Sequence, residues 1–238
     1  MFEISSRYYD AIYRAAGKDY AAEAGRVHEI VQASTHGAAR RLLDVACGTG
    51  GHVEHLKVRY TVEGADLSPE MLAIARRRHP DVTFHQADMT TLDLGTMFDA
   101  VICLFSSIGY VKTVETLRQT LRAFARHVVP GGVVVVDGWI TPDNWHDGYL
   151  HALLVDEPDL KLARLCRNTR DGTLSVMEMH HLAVTVGGAD SFIERHEMGL
   201  FTREQYCAAF EQAGLGVTYD AAGGLSGRGV YIGVRPTA

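Results

Sequence analysis

The sequence predicts an α/β fold: a doubly wound, mostly parallel seven-stranded sheet of Rossmann-like type with an inserted antiparallel β layer. Three observations predict it. Between residues 41 and 137 short β-branched apolar runs alternate with amphipathic segments, as parallel strands do when helices cover both faces. Between residues 160 and 201 apolar and polar residues alternate with no intervening helix, which fits an antiparallel sheet with one face exposed. The first apolar run ends in a glycine loop, "LLDVACGTGGHVEHL", where open α/β sheets bind ligands.

The run at 41–46 reads as the first strand, and the pattern at 51–58 as the helix that follows the loop. A strand at 61–66, a helix at 69–78, strands at 82–87 and 98–104, a helix at 114–127 and the strand "GVVVVD" at 132–137 continue the alternation. The pattern then changes. "KLARLCRNT", "TLSVMEMHHLAVTV" and "SFIERHEMGLF" read as antiparallel strands separated by the turns "RDG" and "GGAD". A helix at 203–213, the breaker Gly214 and strands at 215–220 and 229–234 rejoin the main sheet. Residues 1–238 are expected to form one domain, with 140–201 as the antiparallel insertion.

With 47% apolar and 22% charged residues, the 238-residue chain has the composition of a globular protein with a sizeable core. A formal charge of −6 argues against nucleic acid as a partner, since phosphate binding needs clustered Lys and Arg. The basic run "ARRRHP" ends a helical pattern, where cations complement the helix dipole. No apolar stretch approaches the roughly 20 residues that span a bilayer, and "MFEISSRYYD" has no signal pattern. The dispersed Cys47, Cys103, Cys166 and Cys207 read as reduced thiols, so a cytoplasmic location is expected. No metal is expected either: His180 and His181 point to opposite strand faces, and His52 and His55 lack a third ligand.

The loop narrows the ligand class. Gly48 and Gly50 let the backbone turn and a ligand approach. A dinucleotide site prefers a third glycine where Val53 stands, and the Gly-Lys-Ser/Thr of a phosphate loop is absent. Acids stand instead at three successive strand ends, namely Asp44, Asp66 and Asp88. Asp66 suits a ribose diol, since a carboxylate accepts two hydrogen bonds. Asp88 with Met89 suits an adenine. Together the acids would attract a cation and repel the phosphates of NAD, which points to S-adenosylmethionine.

The motifs "LLDVACGTG", "VEGADLSPEMLAIAR" and "HQADM" resemble those of class I S-adenosylmethionine-dependent methyltransferases. Over nearly the whole chain, through "GKDYAAEA", "FSSIGY", "GGVVVVD", "LFTREQYCAAFEQAGL" and "SGRGVYIGV", the sequence is similar to N,N-dimethyltransferases of TDP-linked amino-sugars in macrolide antibiotic pathways, of the desosamine and mycaminose type. The resemblance implies that Tyr9 and Tyr20 close over the cofactor and that Asp44, Ala46 and the Gly48 loop hold its amino-acid part. It implies further that Asp66 and Leu67 lie at the ribose, Met71, Asp88 and Met89 at the adenine, and Phe105 beside the reactive methyl. It departs at "DGWITP" (137–142), where the family carries Glu-Pro-Trp-Trp-x-Pro. Trp139 is kept in a loop expected to line the acceptor pocket.

Methyl transfer to an amine needs a neutral nucleophile and in-line approach, so positioning can supply about 7–11 kcal/mol of the acceleration without a strong base. Tyr110, just past the fourth strand, is the candidate to orient the amine. Arg228, flanked by glycines, suits a pyrophosphate, with Arg167 and Arg170 as helpers. Glu178 and His180 share one strand face and are candidate sugar contacts. The expected partners are a small-molecule amine acceptor and, in a homodimer, a second copy of the chain. The competing readings are a methyltransferase for the amine or hydroxyl of another natural product, an NAD-binding oxidoreductase, and a non-catalytic cofactor-binding subunit.

Overall fold

The computed structural model describes residues 4–223, 225 and 227–237. Ser226, which opens the Ser-Gly-Arg-Gly stretch, lies outside the described residues. Strands β1 (Arg41–Val45), β2 (Thr61–Asp66), β3 (Thr83–Gln86), β4 (Phe98–Cys103) and β5 (Val128–Asp137) form the parallel part of a seven-stranded sheet. The antiparallel β10 (Gly216–Asp220) and β11 (Val230–Val234) complete it in the order β10-β11-β5-β4-β1-β2-β3. The strand order reverses between β1 and β4, and such a switch point opens a crevice at the carboxyl ends of the strands.

Both faces of this sheet are apolar, which explains the unbroken hydrophobic runs in the sequence. Leu42, Ala100, Ile102, Val133 and Val135 face α2 (Tyr20–Ser34), α3 (Gly51–Leu56) and α4 (Pro69–Arg78). Their neighbours Leu43, Val101, Cys103, Val134 and Val136 face α5 (Val114–Arg126) and α6 (Arg203–Gln212). The helices begin on caps that the sequence carries. Ser68 accepts from the Met71 amide at 3.2 Å with Pro69 at the first helical position, and Thr113 and Thr202 close capping boxes.

Between β5 and α6 the chain builds a second, four-stranded antiparallel sheet of β6 (Leu150–Glu157), β7 (Leu160–Asp171), β8 (Leu174–Thr185) and β9 (Gly188–Gly199). The layer therefore starts earlier than the alternating pattern at 160. β6 shows no period-2 signal because both of its faces are apolar: Val155 is buried, while Leu154 is 71% exposed. The short α1 (Tyr9–Ala15) packs its Ala11 and Ile12 on Val155, Leu162, Ala183 and Phe192, which makes that face of the layer the inner one. The cleft opens between the inner face and the carboxyl ends of β1, β2 and β4.

Candidate active site

A cavity of about 720 Å³ fills this cleft, lined on one side by the strand ends and on the other by the antiparallel layer. The glycine loop shapes the first side. Ala46, Gly48 and Gly50 all take positive φ (60°, 55° and 79°), and a Cβ built on Gly48 meets nothing within 4 Å, so that position opens onto the cavity. Asp66 ties the loop down. Its Oδ2 accepts from the Gly48 amide at 2.8 Å and its Oδ1 from the Ser68 amide at 2.9 Å. Burial raises the Asp66 carboxyl above its usual range, and these amides offset part of that rise.

Asp44, at the end of β1, is 1% exposed, and its Oδ2 is buried with no hydrogen-bond partner among the described residues. Burial, with the charge of Asp66 adding to it, pushes its carboxyl up to about 8. A buried acid in that condition is stabilised by an incoming cation. The ammonium of S-adenosylmethionine is such a cation, so the residues present fit the group. Asp88 accepts from the amide and hydroxyl of Thr90, both at 2.8 Å, and with Met71 and Met89 lines the same side.

Phe105 and Ser106, at the end of β4, are held at φ of 53° and 59°, a strained conformation for residues with a Cβ. The strain is supported from three directions. The Ser106 amide donates to Asp137 Oδ2 at 3.1 Å, its hydroxyl to the Gly138 carbonyl at 2.6 Å, and the edge of Tyr13 meets the Phe105 ring with centroids 4.7 Å apart. Lys18 Nζ lies 3.7 Å from the Phe105 centroid and donates to Glu23 at 2.6 Å; Glu23 also holds His52 Nε2 at 2.7 Å. The N-terminal segment is thereby fastened to the helix after the glycine loop.

The opposite side is basic. Arg228 turns into the cleft, donates to Ser106 Oγ at 2.9 Å and stacks 4.5 Å from the Trp139 centroid. Burial lowers its pKa and Asp137 offsets part of this. Trp139 Nε1–H is fixed on Ser175 Oγ at 2.8 Å. Tyr110 meets His196 across the cleft, and Met177, Met179 and Met198 floor the layer.

The structure brings Tyr9, Ala46, Gly48, Asp66, Leu67, Met71, Asp88, Met89, Phe105, Tyr110, Trp139 and Arg228 together on one cavity, with Asp44 buried beside it. It sets five candidates apart. Tyr20 packs behind the loop, edge-on to His52 at 4.9 Å and against Gly51, where any Cβ would strike its ring, so it does not line the cavity. Glu178 and His180 bond to each other at 2.8 Å on the outer face of the layer, away from the cleft. Their strand neighbours Met177 and Met179 point inward instead. Arg167 also lies on the outer face, and Arg170 is exposed with its Nε on the Gly172 carbonyl at 2.8 Å. Tyr13, Arg164 and His196 line the cavity without having been singled out in the sequence.

The doubly wound sheet, the glycine loop and the three strand-end acids define a class I methyltransferase that uses S-adenosylmethionine. A methyltransferase-domain family model matches residues 42–132. The chain is 44% identical, over 98% of its length and 99% of the relative's, to a dTDP-3-amino-3,4,6-trideoxy-alpha-D-glucopyranose N,N-dimethyltransferase of Streptomyces venezuelae. It is 45% identical, over 95% of its length and 89% of the relative's, to the dTDP-3-amino-3,6-dideoxy-alpha-D-glucopyranose N,N-dimethyltransferase of Streptomyces fradiae. Its structure superimposes with a TM-score of 0.87, at 41% identity and 96% coverage of both chains, on S-adenosylmethionine-bound CalS10, an amino pentose methyltransferase of calicheamicin biosynthesis from Micromonospora echinaspora. The chain belongs to the family of nucleotide-linked amino-sugar N,N-dimethyltransferases.

Proposed function

We propose that this enzyme dimethylates the amine of a TDP-linked deoxyamino-sugar in antibiotic biosynthesis. The observation that carries the reading is the division of the cavity by charge. Its acids (Asp66, Glu70 and Asp88) stand at or just past the ends of β2 and β3, and Arg228 stands on the opposite side with His146, His151 and His196. A cationic cofactor suits the first side and an anionic nucleotide-sugar the second. The support from relatives is that they act on dTDP-amino-sugars that differ from one another at the sugar.

S-adenosylmethionine supplies an electrophilic methyl on sulfur. The protein's part is placement. Asp44 and the Gly48 loop hold the amino-acid end, Asp66 the ribose, and Asp88 with Met71 and Met89 the adenine. Phe105, fixed by Tyr13 and Ser106, walls the reactive end and keeps water from it. Tyr110 orients the acceptor nitrogen, and Trp139 and Arg228 hold the sugar and its diphosphate.

The outer face of the antiparallel layer suggests a homodimer. Cross-strand neighbours Leu165, His180 and Ile193 make a row beside Leu182 and Leu154, and the apolar members are all more than half exposed. A contiguous apolar face of this kind favours a second copy of the chain. Light scattering of the purified protein checks the assembly. The chain is proposed to act as one domain, 1–238, with 140–201 inserted, in the cytoplasm; no helix among the described residues is long and apolar enough to cross a membrane.

Mass spectrometry of enzyme, S-adenosylmethionine and a panel of TDP-amino-sugars tests the function. Addition of up to two methyl groups to at least one member is expected. Transfer only to amines or hydroxyls of nucleotide-free natural products would overturn the acceptor and favour a late-stage antibiotic substrate.

A further inference from the structure

Three members of the basic run at 76–79 turn back from the end of α4 onto the sheet and the glycine loop. Arg76 Nη2 donates to the Phe84 carbonyl at 3.0 Å, and buried His79 donates from Nε2 to the Gly50 carbonyl at 3.0 Å. Arg78 makes a wider connection. Its Nη1 donates to the Thr49 carbonyl at 3.2 Å and its Nη2 to Oδ2 of Asp10 in α1. The Thr49 hydroxyl donates to the other Asp10 oxygen at 2.7 Å. Thr49 is buried between Gly48 and Gly50, the two positive-φ glycines that shape the cofactor side of the cavity. One guanidinium therefore joins α4, the glycine loop and α1.

The helix α1 bridges the two walls of the cavity. Tyr9 and Tyr13 line it, Ala11 and Ile12 pack on the antiparallel layer, and Asp10 meets the glycine loop. A helix of seven residues is unstable alone, so its position depends on such attachments. They differ in kind. Ala11 and Ile12 are buried, whereas the Arg78 and Asp10 side chains are 31% and 29% exposed. A partly exposed ion pair is weakened by salt screening, and an apolar contact is not. The Asp10 end is therefore the easier one to release. Gly17, at φ 77° just past α1, offers a pivot, while Lys18 beyond it stays clasped on Glu23 at 2.6 Å.

We infer that Arg78 is a positioning residue for S-adenosylmethionine: through Thr49 and Asp10 it fixes both the glycine loop and the helix that walls the cofactor, and parting of Arg78 from Asp10 lets the cofactor exchange. The inference concerns the cofactor side alone and holds for any acceptor.

The test uses Arg78→Met, Arg78→Lys, Asp10→Asn and the double variant Asp10→Asn/Arg78→Met. Calorimetry reads S-adenosylmethionine affinity, and tritiated cofactor chased with unlabelled cofactor reads its dissociation. Arg78→Met and Asp10→Asn should each weaken affinity by about 5- to 30-fold, chiefly through faster dissociation. That lies toward the low end for charge-assisted contacts because the pair is partly exposed. Arg78→Lys should recover part of the loss, since it keeps the charge but cannot fork between a carbonyl and a carboxylate. The double variant should be little weaker than Arg78→Met, because both changes act on one contact. Added salt should speed dissociation from the native enzyme and have less effect on the variants. A lower melting temperature with native dissociation and native salt response would mark a merely structural arginine and overturn the inference. Full additivity in the double variant would overturn it as well. Should Arg78→Met fail to fold, Asp10→Asn reads the same contact from the other side, and native dissociation there is equally fatal.

Discussion

The hydroxyl of Tyr110 and Nδ1 of His196 meet at 2.7 Å inside the cleft, and the other nitrogen of the same ring faces Glu194 Oε2 at 3.5 Å. Burial works against ionisation of Glu194, but hydrogen bonds from His196 and Ser5 hold its carboxyl below the usual range. An ionised carboxylate only accepts. The Nε2 proton therefore points to Glu194, Nδ1 is the acceptor, and Tyr110 is the donor. Its hydroxyl is aimed by a three-residue chain that runs through His196 to Glu194.

We propose that this arrangement makes Tyr110 a positioning group and not a base. Burial pushes its phenol well above the ordinary tyrosine range, so it stays neutral at working pH. Tyr110→Phe should lower kcat by less than the roughly 100-fold that marks the lower end of general acid–base catalysis. Its effect should be uniform between pH 7 and pH 9. Steady-state kinetics across that range check it, and abolished turnover with intact cofactor binding would make the hydroxyl essential to the chemistry.

Asp66→Ala should weaken S-adenosylmethionine binding by about 1.5–3 kcal/mol, the usual worth of hydrogen bonds to a charged group. The same carboxylate fastens Gly48 and Ser68, so part of the loss should come from a loosened loop. Asp66→Asn separates the two contributions, because its amide oxygen still accepts from one backbone N–H. Calorimetry on folded protein reads both variants. Unchanged affinity in the alanine variant would remove Asp66 from the ribose site.

Asp44 gives the protein a pH dependence of definite sign. In the unfolded chain an aspartate ionises near 4, whereas in the folded, ligand-free protein burial pushes it up to about 8. Between those values the folded state holds a proton that the unfolded chain has released. Stability should therefore fall as pH rises through the window, by up to about 1.4 kcal/mol per unit, and level off above it. Asp44→Asn should remove that slope and raise the melting temperature at pH 8. A bound ammonium favours the carboxylate, so cofactor binding at pH 7 should release a proton in the native enzyme and not in Asp44→Asn. Titration in two buffers of different ionisation enthalpy detects it, and equal proton release in both proteins would take Asp44 out of the site.

The parallel core was legible because burial on both faces leaves β-branched runs with no polar interruption, as in Val133 to Val136. Its glycine loop and strand-end acids were legible because they are local in sequence. The antiparallel layer was harder. Alternation at 174–185 separates Met177 and Met179 from Glu178 and His180, but it cannot say which set faces a ligand. That is decided by Ala11 and Ile12 of α1 packing on Val155, Leu162 and Ala183, a contact between segments far apart in the sequence. The same parity puts Arg167 on the outer face, while Arg164 lines the cavity. Tyr20 was drawn to the cofactor by its family motif, but the neighbouring Asp19 caps α2 on the Ala22 amide at 2.9 Å and turns Tyr20 against Gly51. His196 carried no local signal, since its role depends on a tyrosine 86 positions away.

Arg228 should decide how the acceptor's charge is recognised. It reaches the cleft from a glycine-flanked turn and is braced by Ser106 and Trp139, so its guanidinium is preorganised and loses little freedom on binding. Removing one charge-assisted contact of this kind costs about 1.5–3 kcal/mol. Arg228→Ala should raise the KM for a TDP-amino-sugar by roughly 10- to 100-fold, while the KM for S-adenosylmethionine, bound at the acidic side, should hardly move. Arg228→Lys should fall between the two, because it keeps the charge but neither the fork nor the flat face over Trp139. Added salt should weaken acceptor binding by the native enzyme more than by the alanine variant, since screening acts on the charge that has been removed. An alanine variant with native acceptor KM and native salt response would leave the diphosphate without this contact. The acceptor would then be better sought among uncharged amines of finished natural products, which the altered loop at 137–142 would suit.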